Sequence, residues 1–184
     1  MMSDLKVTDL DQLLRDGVVK LEITAGIPTW ELSPSSRHQL MVYQIQTSIK
    51  TSSDRGEDGQ ALSDCKCAHL ADVYIQFRDG SLKRPDIAIF CATPPVQDEA
   101  LDIIPQAVVE VISPGYEFKD IALNPQFYLA QDVGDVVVVD PRSGVVTHYR
   151  TTGTAIHHAP VTINLQCGCQ CTIPAVGGQE SVGK

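Results

Sequence analysis

The spacing of hydrophobic residues predicts two helices in the first third of the chain. Leucines recur at helix-like intervals within residues 4–16, which indicates a short N-terminal helix. Apolar residues recur at three- and four-residue steps up to about Lys50, and Ser35 or Ser36 can cap the start of this second helix. His38 lies at the beginning of its apolar face.

A hairpin is predicted between these helices. Residues 18–23 and 29–32 have strand-like patterns and flank a turn-forming segment at 25–28. The two predicted strands carry Glu22 and Glu31. The polar, glycine-containing stretch after the second helix, TSSDRGEDGQ, is typical of a surface loop.

The centre of the chain is rich in strand-forming residues. Residues 72–77, 87–90 and 107–112 are each predicted to form a strand. Asp79 and Gly80 make a strong hairpin signal between the first two, so we expect those two strands to pair antiparallel.

A strand, a helix and another strand are predicted next. Asn124 and Pro125 are suited to the N-cap and first turn of a short helix. Residues 136–139 are four consecutive valines, as expected of a strand buried on both faces. This order predicts that 136–139 lies parallel to 107–112 through a right-handed crossover.

The fold class follows from this order of elements. Two more strand-like segments, 145–150 and 161–165, follow, and residues 177–184 are expected to be frayed. The pattern predicts a single α/β (α+β) domain over residues 1–184. A mixed central sheet would be flanked by helices and extended by N- and C-terminal β-hairpins.

Length and composition are those of one globular domain. The chain has 184 residues, of which 43% are hydrophobic and 20% charged. It contains no apolar run long enough to span a bilayer, and its N-terminus does not resemble a secretory signal. We therefore expect a cytoplasmic protein without a membrane partner, whose six cysteines form no disulfides.

Five of the six cysteines lie in two short motifs. Cys65 and Cys67 form one, and Cys167, Cys169 and Cys171 form the other, so that an extended chain would present the thiols of each motif on one face. A structural zinc site is one interpretation, although a single intervening residue is tight for zinc. Free thiols in the core or at a sheet edge are the alternative.

Two acids stand where folding alone does not explain them. Asp86 follows a proline and opens an apolar strand, and Glu110 lies inside the apolar segment 107–112. A buried carboxylate costs several kcal/mol unless it is paired or bound to metal. Carboxylates from neighbouring strands suit Mg²⁺ and hence phosphodiester hydrolysis, whereas an ion pair or backbone capping would be a purely structural role.

The net charge of −9 opposes a broad nucleic-acid surface, because such affinity comes largely from lysine and arginine. A local cluster of Lys83, Arg84 and Lys119 could nevertheless guide a phosphate.

A series of short motifs occurs in order from about residue 18 to 141. These are Leu21-Glu22-Ile23, Ser33-Pro34, His38-Gln39, Arg84-Pro85-Asp86, Val109 to Pro114, Phe127-Tyr128 and Val136 to Pro141. Together they resemble the Uma-two family, which is common in cyanobacteria, is described as nucleases and belongs to the restriction-endonuclease-like (PD-(D/E)XK) superfamily.

The resemblance implies a restriction-endonuclease-like core and a DNA substrate. Asp86 and Glu110 would be ligands of Mg²⁺ or Mn²⁺, and Glu22 or His38 would complete or orient the site. A homodimer is also implied, since related enzymes often pair subunits to cut two strands.

One position departs from the superfamily pattern. The lysine expected two residues after the glutamate is Ile112 here, and the later lysine of many Uma-type sequences corresponds to Asn124. Lys119 is near enough along the chain to serve as the supporting cation. Two hypotheses result: a metal-dependent endonuclease, or a catalytically degenerate member that acts as a binding or assembly module.

Overall fold

The computed structural model describes residues 19–52, 64–117 and 119–176. The helix predicted at residues 4–16, most of the predicted surface loop and the predicted frayed end at 177–184 lie outside the described residues.

The described residues form strands, two α-helices and a π-helical turn. The strands are β1 (Val19–Thr24), β2 (Ile27–Leu32), β3 (Lys50–Thr51), β4 (Ala68–Ala71), β5 (Ile75–Gln76), β6 (Leu82–Lys83), β7 (Ile87–Phe90), β8 (Ala107–Val111), β9 (Asp135–Val139), β10 (Val145–Arg150), β11 (Gly153–His158), β12 (Val161–Asn164) and β13 (Cys169–Ile173). The helices are α1 (Ser36–Ser48) and α2 (Asn124–Ala130), and the π-helical turn is Lys119–Leu123. Neither α1 nor α2 is long and apolar enough to cross a membrane.

A six-stranded mixed sheet forms the centre, in the order β11-β10-β9-β8-β7-β4. Strands β8 and β9 are parallel, and the connection between them contains α2, as the strand–helix–strand pattern predicts. The other neighbours in this sheet are antiparallel. The predicted fold class, a mixed sheet flanked by helices with added hairpins, is confirmed.

Alternating side chains of the central strands build a separate core on each face of the sheet. Val109 and Val111 belong to a core that also contains the apolar face of α1 and the inward face of β13. Val108 and Val136 belong to the opposite core with Tyr128 of α2. Because side chains alternate along a strand, Glu110 shares the face of Val108 and meets α2.

The predicted N-terminal hairpin and second helix are both present. β1 and β2 pair antiparallel, with Leu21 opposite Trp30, and belong to a smaller sheet in the order β2-β1-β6-β5. Ser35 caps α1 by accepting a hydrogen bond from the His38 backbone N–H. The resulting start of α1 holds His38 beside Asp86, which directly precedes β7.

The prediction that the strands at 72–77 and 87–90 pair across the Asp79-Gly80 turn is wrong. The turn joins β5 to β6, and β7 pairs instead with β4. Pro85 separates β6 from β7 and lacks the N–H that would continue a ladder, so each strand enters a different sheet.

The expectation of no disulfides is also wrong. Cys65 is bonded to Cys91, and Cys67 to Cys169. The antiparallel pairing of β4 with β7 brings Cys65 and Cys91 together, and the packing of β13 beside α1 brings Cys169 within reach of Cys67. The prediction rested on the assumed reducing compartment, whereas the disulfides depend on contacts between segments that are distant in the sequence.

Candidate active site

Two predicted acids, Asp86 and Glu110, come together at the junction of β7 and β8. Asp86 directly precedes β7, and the antiparallel register places Ile87 opposite Val109, so Asp86 lies beside Glu110. The Asp86 backbone N–H donates to Glu110 Oε2 at 3.2 Å. The Val111 backbone N–H donates to Asp86 Oδ2 at 2.7 Å. Backbone pairing of two strands therefore brings the two carboxylates together.

Glu110 is held by neutral donors from α2. The Tyr128 hydroxyl donates to Glu110 Oε1 at 2.8 Å, and the Asn124 amide lies 3.5 Å from the same oxygen. The residue is only 4% exposed. Burial, reinforced by the negative charge of Asp86, raises the pKa of Glu110 well above its ordinary value. The Glu110 carboxylate is thus short of positive charge.

Asp86 is the better compensated acid. Its Oδ2 lies 3.0 Å from His38 Nε2, and its Oδ1 lies 3.9 Å from Lys20 Nζ. Burial alone would raise the pKa of Asp86, but the charge of Lys20 and the hydrogen bond from His38 lower it. The charges of Asp86 and other nearby acids in turn raise the pKa of Lys20 against the opposing effect of burial. Asp86 therefore remains ionised.

A small cavity leads to Asp86 from outside. Its volume is about 80 Å³, which is room for several water molecules. The polar side chains in its wall include Lys20, Glu31, His38, Arg84 and Asp86. The Asp86 side chain is 12% exposed, so one of the two acids is reachable by an ion or a phosphate oxygen.

A second acid with two lysines lies deeper in the same site. Glu22 shares one face of β1 with Lys20, because the two are two residues apart. Its Oε2 accepts from Lys83 Nζ at 2.8 Å and from Lys119 Nζ at 3.1 Å. Burial opposes ionisation, but the charges of Lys83 and Lys119 dominate and lower the pKa of Glu22 to about 2. Glu22 therefore serves as an anionic anchor for two ammonium groups.

Asn124 joins the two halves of the site. Lys83 Nζ donates to Asn124 Oδ1 at 2.8 Å, while the amide of Asn124 faces Glu110. The predicted N-cap role of Asn124 is wrong, because the π-helical turn before α2 places Leu123 at the N-cap and Asn124 inside the helix. The released side chain instead relays between Lys83 and Glu110.

Lys119, the predicted supporting cation, lies at the outer side of this network. It forms ion pairs with Glu22, Glu31 and Asp120. Burial raises the pKa of Asp120 to about 6, although Lys119 acts against this rise. Lys119 is thus linked to Glu110 through Glu22, Lys83 and Asn124 rather than by an ion pair of its own.

The five predicted residues all enter the site, but several of their partners were not predicted. Lys20 and Tyr128 were not singled out, and Lys83 was considered only as a guide for phosphate. The sequence signal for Lys83 was its position three residues before Asp86. In the structure Lys83 is buried, and a buried lysine requires an acidic partner. Ile112 packs against the apolar core on the α2 face, so no cation replaces it there.

Among the described residues, the sets of three or more possible metal ligands lying within 4.8 Å of one another consist of cysteines. The acidic site accordingly offers a pair of carboxylates rather than a closed set. Mg²⁺ commonly keeps several waters and takes one or two carboxylates from the protein, so an open pair is compatible with it.

The central sheet and the paired acids on adjacent strands define a fold of the restriction-endonuclease-like class. A solved structure similar to this chain is described as that of "a putative nuclease belonging to DUF820" from Anabaena variabilis. It has a TM-score of 0.58 and 18% sequence identity, and the match covers 78% of this chain and 79% of that one. At this identity the likeness supports the fold.

Residues 9–167 match the Uma2 family, whose description is "Putative restriction endonuclease". The match spans most of the chain, and the chain belongs to this family. No curated protein matches the sequence.

Proposed function

We propose that this chain is a metal-dependent endonuclease that hydrolyses phosphodiester bonds in DNA, with Asp86 and Glu110 as the ligands of Mg²⁺ or Mn²⁺. The supporting observation is the convergence of the two acids, where the Asp86 N–H lies 3.2 Å from Glu110 Oε2 beside a cavity. Membership of a family described as restriction endonucleases supports the reaction class.

The donor set fits a hard divalent cation. Both groups are carboxylates, and the raised pKa of Glu110 reflects burial next to the charge of Asp86. A cation held by both would remove that repulsion. When bound, it would supply Lewis acidity that activates water and offsets charge on the phosphate.

The protein's own groups would then orient and balance this chemistry. Tyr128 and Asn124 hold Glu110 in one orientation through its Oε1. His38 holds Asp86 through its Oδ2, which leaves Oδ1 toward Lys20 at the cavity. Orientation by such neighbours is what a metal-binding carboxylate requires.

Lys83 is proposed to supply the positive charge that related sequences place on the helix. Asn124 occupies that helix position, and Lys83 Nζ lies 2.8 Å from its Oδ1. The ammonium therefore arrives from β6 at the place where the helix lacks one. Lys119 would support it by sharing the charge of Glu22.

DNA is the proposed substrate despite the net charge of −9. Lys20 and Arg84 line the cavity, where they form ion pairs with Asp86 and Asp72, so positive groups lie where a scissile phosphate would approach. A local cluster is sufficient to position a phosphate, whereas sequence-independent affinity over a long duplex needs many such contacts. We therefore expect weak binding of duplex DNA with a shallow dependence on salt, because few phosphates would be contacted.

The test is nicking of supercoiled plasmid with Mg²⁺ or Mn²⁺. Asp86→Ala and Glu110→Gln are expected to lower the rate on the order of 10²- to 10³-fold, because each removes a metal ligand. Asp140→Asn is the matched control, since it removes an acid at the end of the neighbouring strand β9 and outside the site. Equal activity in Asp86→Ala and the wild type would refute the proposal.

The role of Lys83 has its own test. Lys83→Met should lower the rate on the order of 10²-fold, and the double variant Lys83→Met with Asn124→Lys should recover much of it by restoring a helix lysine. Lys66→Met, an exposed lysine, is the control. A fully active Lys83→Met variant would remove Lys83 from the mechanism while leaving the metal ligands to be judged separately.

The second candidate is a binding or assembly module without catalysis, and a homodimer would suit either candidate. The observation in its favour is Lys20, whose ammonium lies 3.9 Å from Asp86 and already neutralises it without a metal. This candidate predicts normal folding and association, with no metal-stimulated cleavage of DNA or RNA by the wild type.

A further inference from the structure

The fold gathers cysteines from three distant segments into one cluster beside the first core. The Sγ atoms of Cys65, Cys67 and Cys169 lie within 4.8 Å of one another, as do those of Cys65, Cys91 and Cys167. Cys65 belongs to both groups and is therefore the centre of the cluster. This sulfur cluster lies on the α1 face of the sheet, whereas Glu110 faces α2.

Backbone hydrogen bonds hold the contributing segments in place. The Lys66 N–H donates to the Cys91 carbonyl at 3.0 Å, which fixes the segment before β4 against the end of β7. The Ser52 N–H donates to the Gly168 carbonyl at 2.8 Å, and β3 pairs with β13, so the start of β13 is fixed as well. The positions of the sulfur atoms thus follow from strand pairing and do not depend on the cysteines alone.

The local conformation at Cys67 resolves the tight spacing of the Cys65-Lys66-Cys67 motif. Cys67 has a φ of 51°, in the left-handed region that residues other than glycine rarely adopt. This turn brings both thiols of the motif to the same cluster, although a single residue separates them. Such a conformation is strained in a side-chain-bearing residue and is retained where the surrounding structure requires it.

The separations are close to those of a tetrahedral metal site. Zinc bound to four thiolates at about 2.3 Å requires neighbouring sulfurs about 3.8 Å apart. Cys65 Sγ and Cys169 Sγ, which are not bonded to each other, lie 3.3 Å apart. Cys67 and Cys169 lie within 4.8 Å of Cys65 in one group and Cys91 within 4.8 Å of it in the other, so rotation of these side chains toward Cys65 after reduction would bring the four sulfurs together. Cys65, Cys67 and Cys169 are buried, and Cys91 is only half-buried, so an ion could enter from its side.

We propose that Cys65, Cys67, Cys91 and Cys169 form a structural Zn²⁺ site when reduced, and that the two disulfides are the oxidised state of the same cluster. Each disulfide would take two electrons and two protons from an external dithiol reductant, which itself becomes a disulfide. Binding of Zn²⁺ would then displace the four thiol protons. In either state the cluster fastens β13 to the junction of β4 and β7.

The first experiment measures metal binding by the reduced full-length chain. After reduction with a phosphine and removal of other metals, Co²⁺ should give the intense visible absorption of a tetrahedral thiolate site, and Zn²⁺ should abolish it by displacement. Zinc content after extensive dialysis should be one ion per chain. Absence of the thiolate absorption, or loss of all zinc on dialysis, would overturn the proposal.

Matched variants locate the ion. Cys169→Ser and Cys91→Ser should each lower Zn²⁺ affinity by at least about tenfold, because each removes a ligand. Cys171→Ser is the control, since it makes the same substitution on the same buried face of β13 but lies outside both sulfur groups. Cys91→Ser tests a half-buried position, so its folding is less exposed to a packing defect.

A further variant separates this site from the acidic one. Asp86→Asn should retain the zinc and the thiolate absorption of Co²⁺, because its carboxylate belongs to the opposite site. If zinc is lost in Asp86→Asn, or if Zn²⁺ affinity is unchanged in both Cys169→Ser and Cys91→Ser, the ion is not held by the sulfur cluster and the proposal fails. This outcome is independent of whether the protein cleaves DNA.

Discussion

Two buried carboxylates on the neighbouring parallel strands β8 and β9 have opposite environments. Asp135, at the start of β9, accepts from His148 Nε2 at 2.7 Å, Arg150 Nε at 2.6 Å and the Gln166 N–H at 2.8 Å. Burial would raise the pKa of Asp135, but the hydrogen bonds from His148 and Arg150 lower it. Asp135 is therefore an ionised acid whose partners lie within the fold.

Glu110, near the end of β8, has the same burial without that compensation. Its partners are the Tyr128 hydroxyl, the Asn124 amide and the Asp86 N–H, all uncharged, and the nearest acid raises its pKa further. The comparison teaches that burial alone does not mark a functional acid. An acid that lacks a cation and lies beside another acid is the one suited to an external cation.

The largest expected effect compares the two acids directly. Asp135→Asn should lower the free energy of unfolding by about 3 kcal/mol, because it leaves the buried His148 and the half-buried Arg150 without a charged acceptor. Glu110→Gln should change it by no more than about 1 kcal/mol, because a neutral side chain suits that environment. Urea denaturation at neutral pH measures both values. Equal losses would erase the distinction between the two sites.

A third buried acid, Asp120, differs from Asp135 in the direction of its pKa shift. The pKa of Asp120 is raised by burial to about 6 from an ordinary value of 3.8, so its protonated form stabilises the folded state. That contribution is complete below 3.8 and is lost as pH rises through about 6. The wild type should therefore lose about 1–2 kcal/mol relative to Asp120→Asn between pH 4 and pH 7.

Denaturation of both proteins across that range measures this difference. Asp135 provides the opposite sign, because a lowered pKa gives stability above 3.8 that is lost on acidification. In a plot of the free energy of unfolding against pH, Asp135→Asn should consequently reduce the loss of stability at acid pH. The change near pH 6, which belongs to Asp120, should remain. Parallel curves for the wild type and Asp120→Asn would contradict the assignment.

The smallest expected effect concerns the hydroxyl that holds Glu110. Tyr128→Phe should cost about 1 kcal/mol of unfolding free energy, since it removes a buried hydrogen bond of 2.8 Å. In a double-mutant cycle with Glu110→Gln, the coupling should be about 0.5–1 kcal/mol. Additive losses would mean that the hydroxyl contributes nothing specific to Glu110.

Much of the fold was predictable because it depends on local patterns. The N-terminal hairpin, α1 with its Ser35 cap and the parallel pair β8 and β9 follow from periodicity and connection rules. The partner of β7 was not predictable in this way, because a hairpin signal identifies a turn but not the sheet that its second strand joins.

The site, like the fold, has features that local sequence patterns predict and features that depend on packing. The sequence by itself identified Asp86 and Glu110, because a carboxylate inside or next to an apolar strand is costly wherever that strand lies. The resemblance to the Uma-two family also indicated that the expected lysine is absent, since Ile112 and Asn124 occupy its two usual positions.

The partners of these acids and of the cysteines depend on tertiary packing. Lys83 reaches Asn124 from 41 residues away, and Cys65 approaches Cys169 from 104 residues away. Neither proximity has a local signature, because long-range contacts arise from how the sheets and helices pack and not from the order of neighbouring residues. Local patterns determined which groups need a partner, and packing determined which partner each of them has.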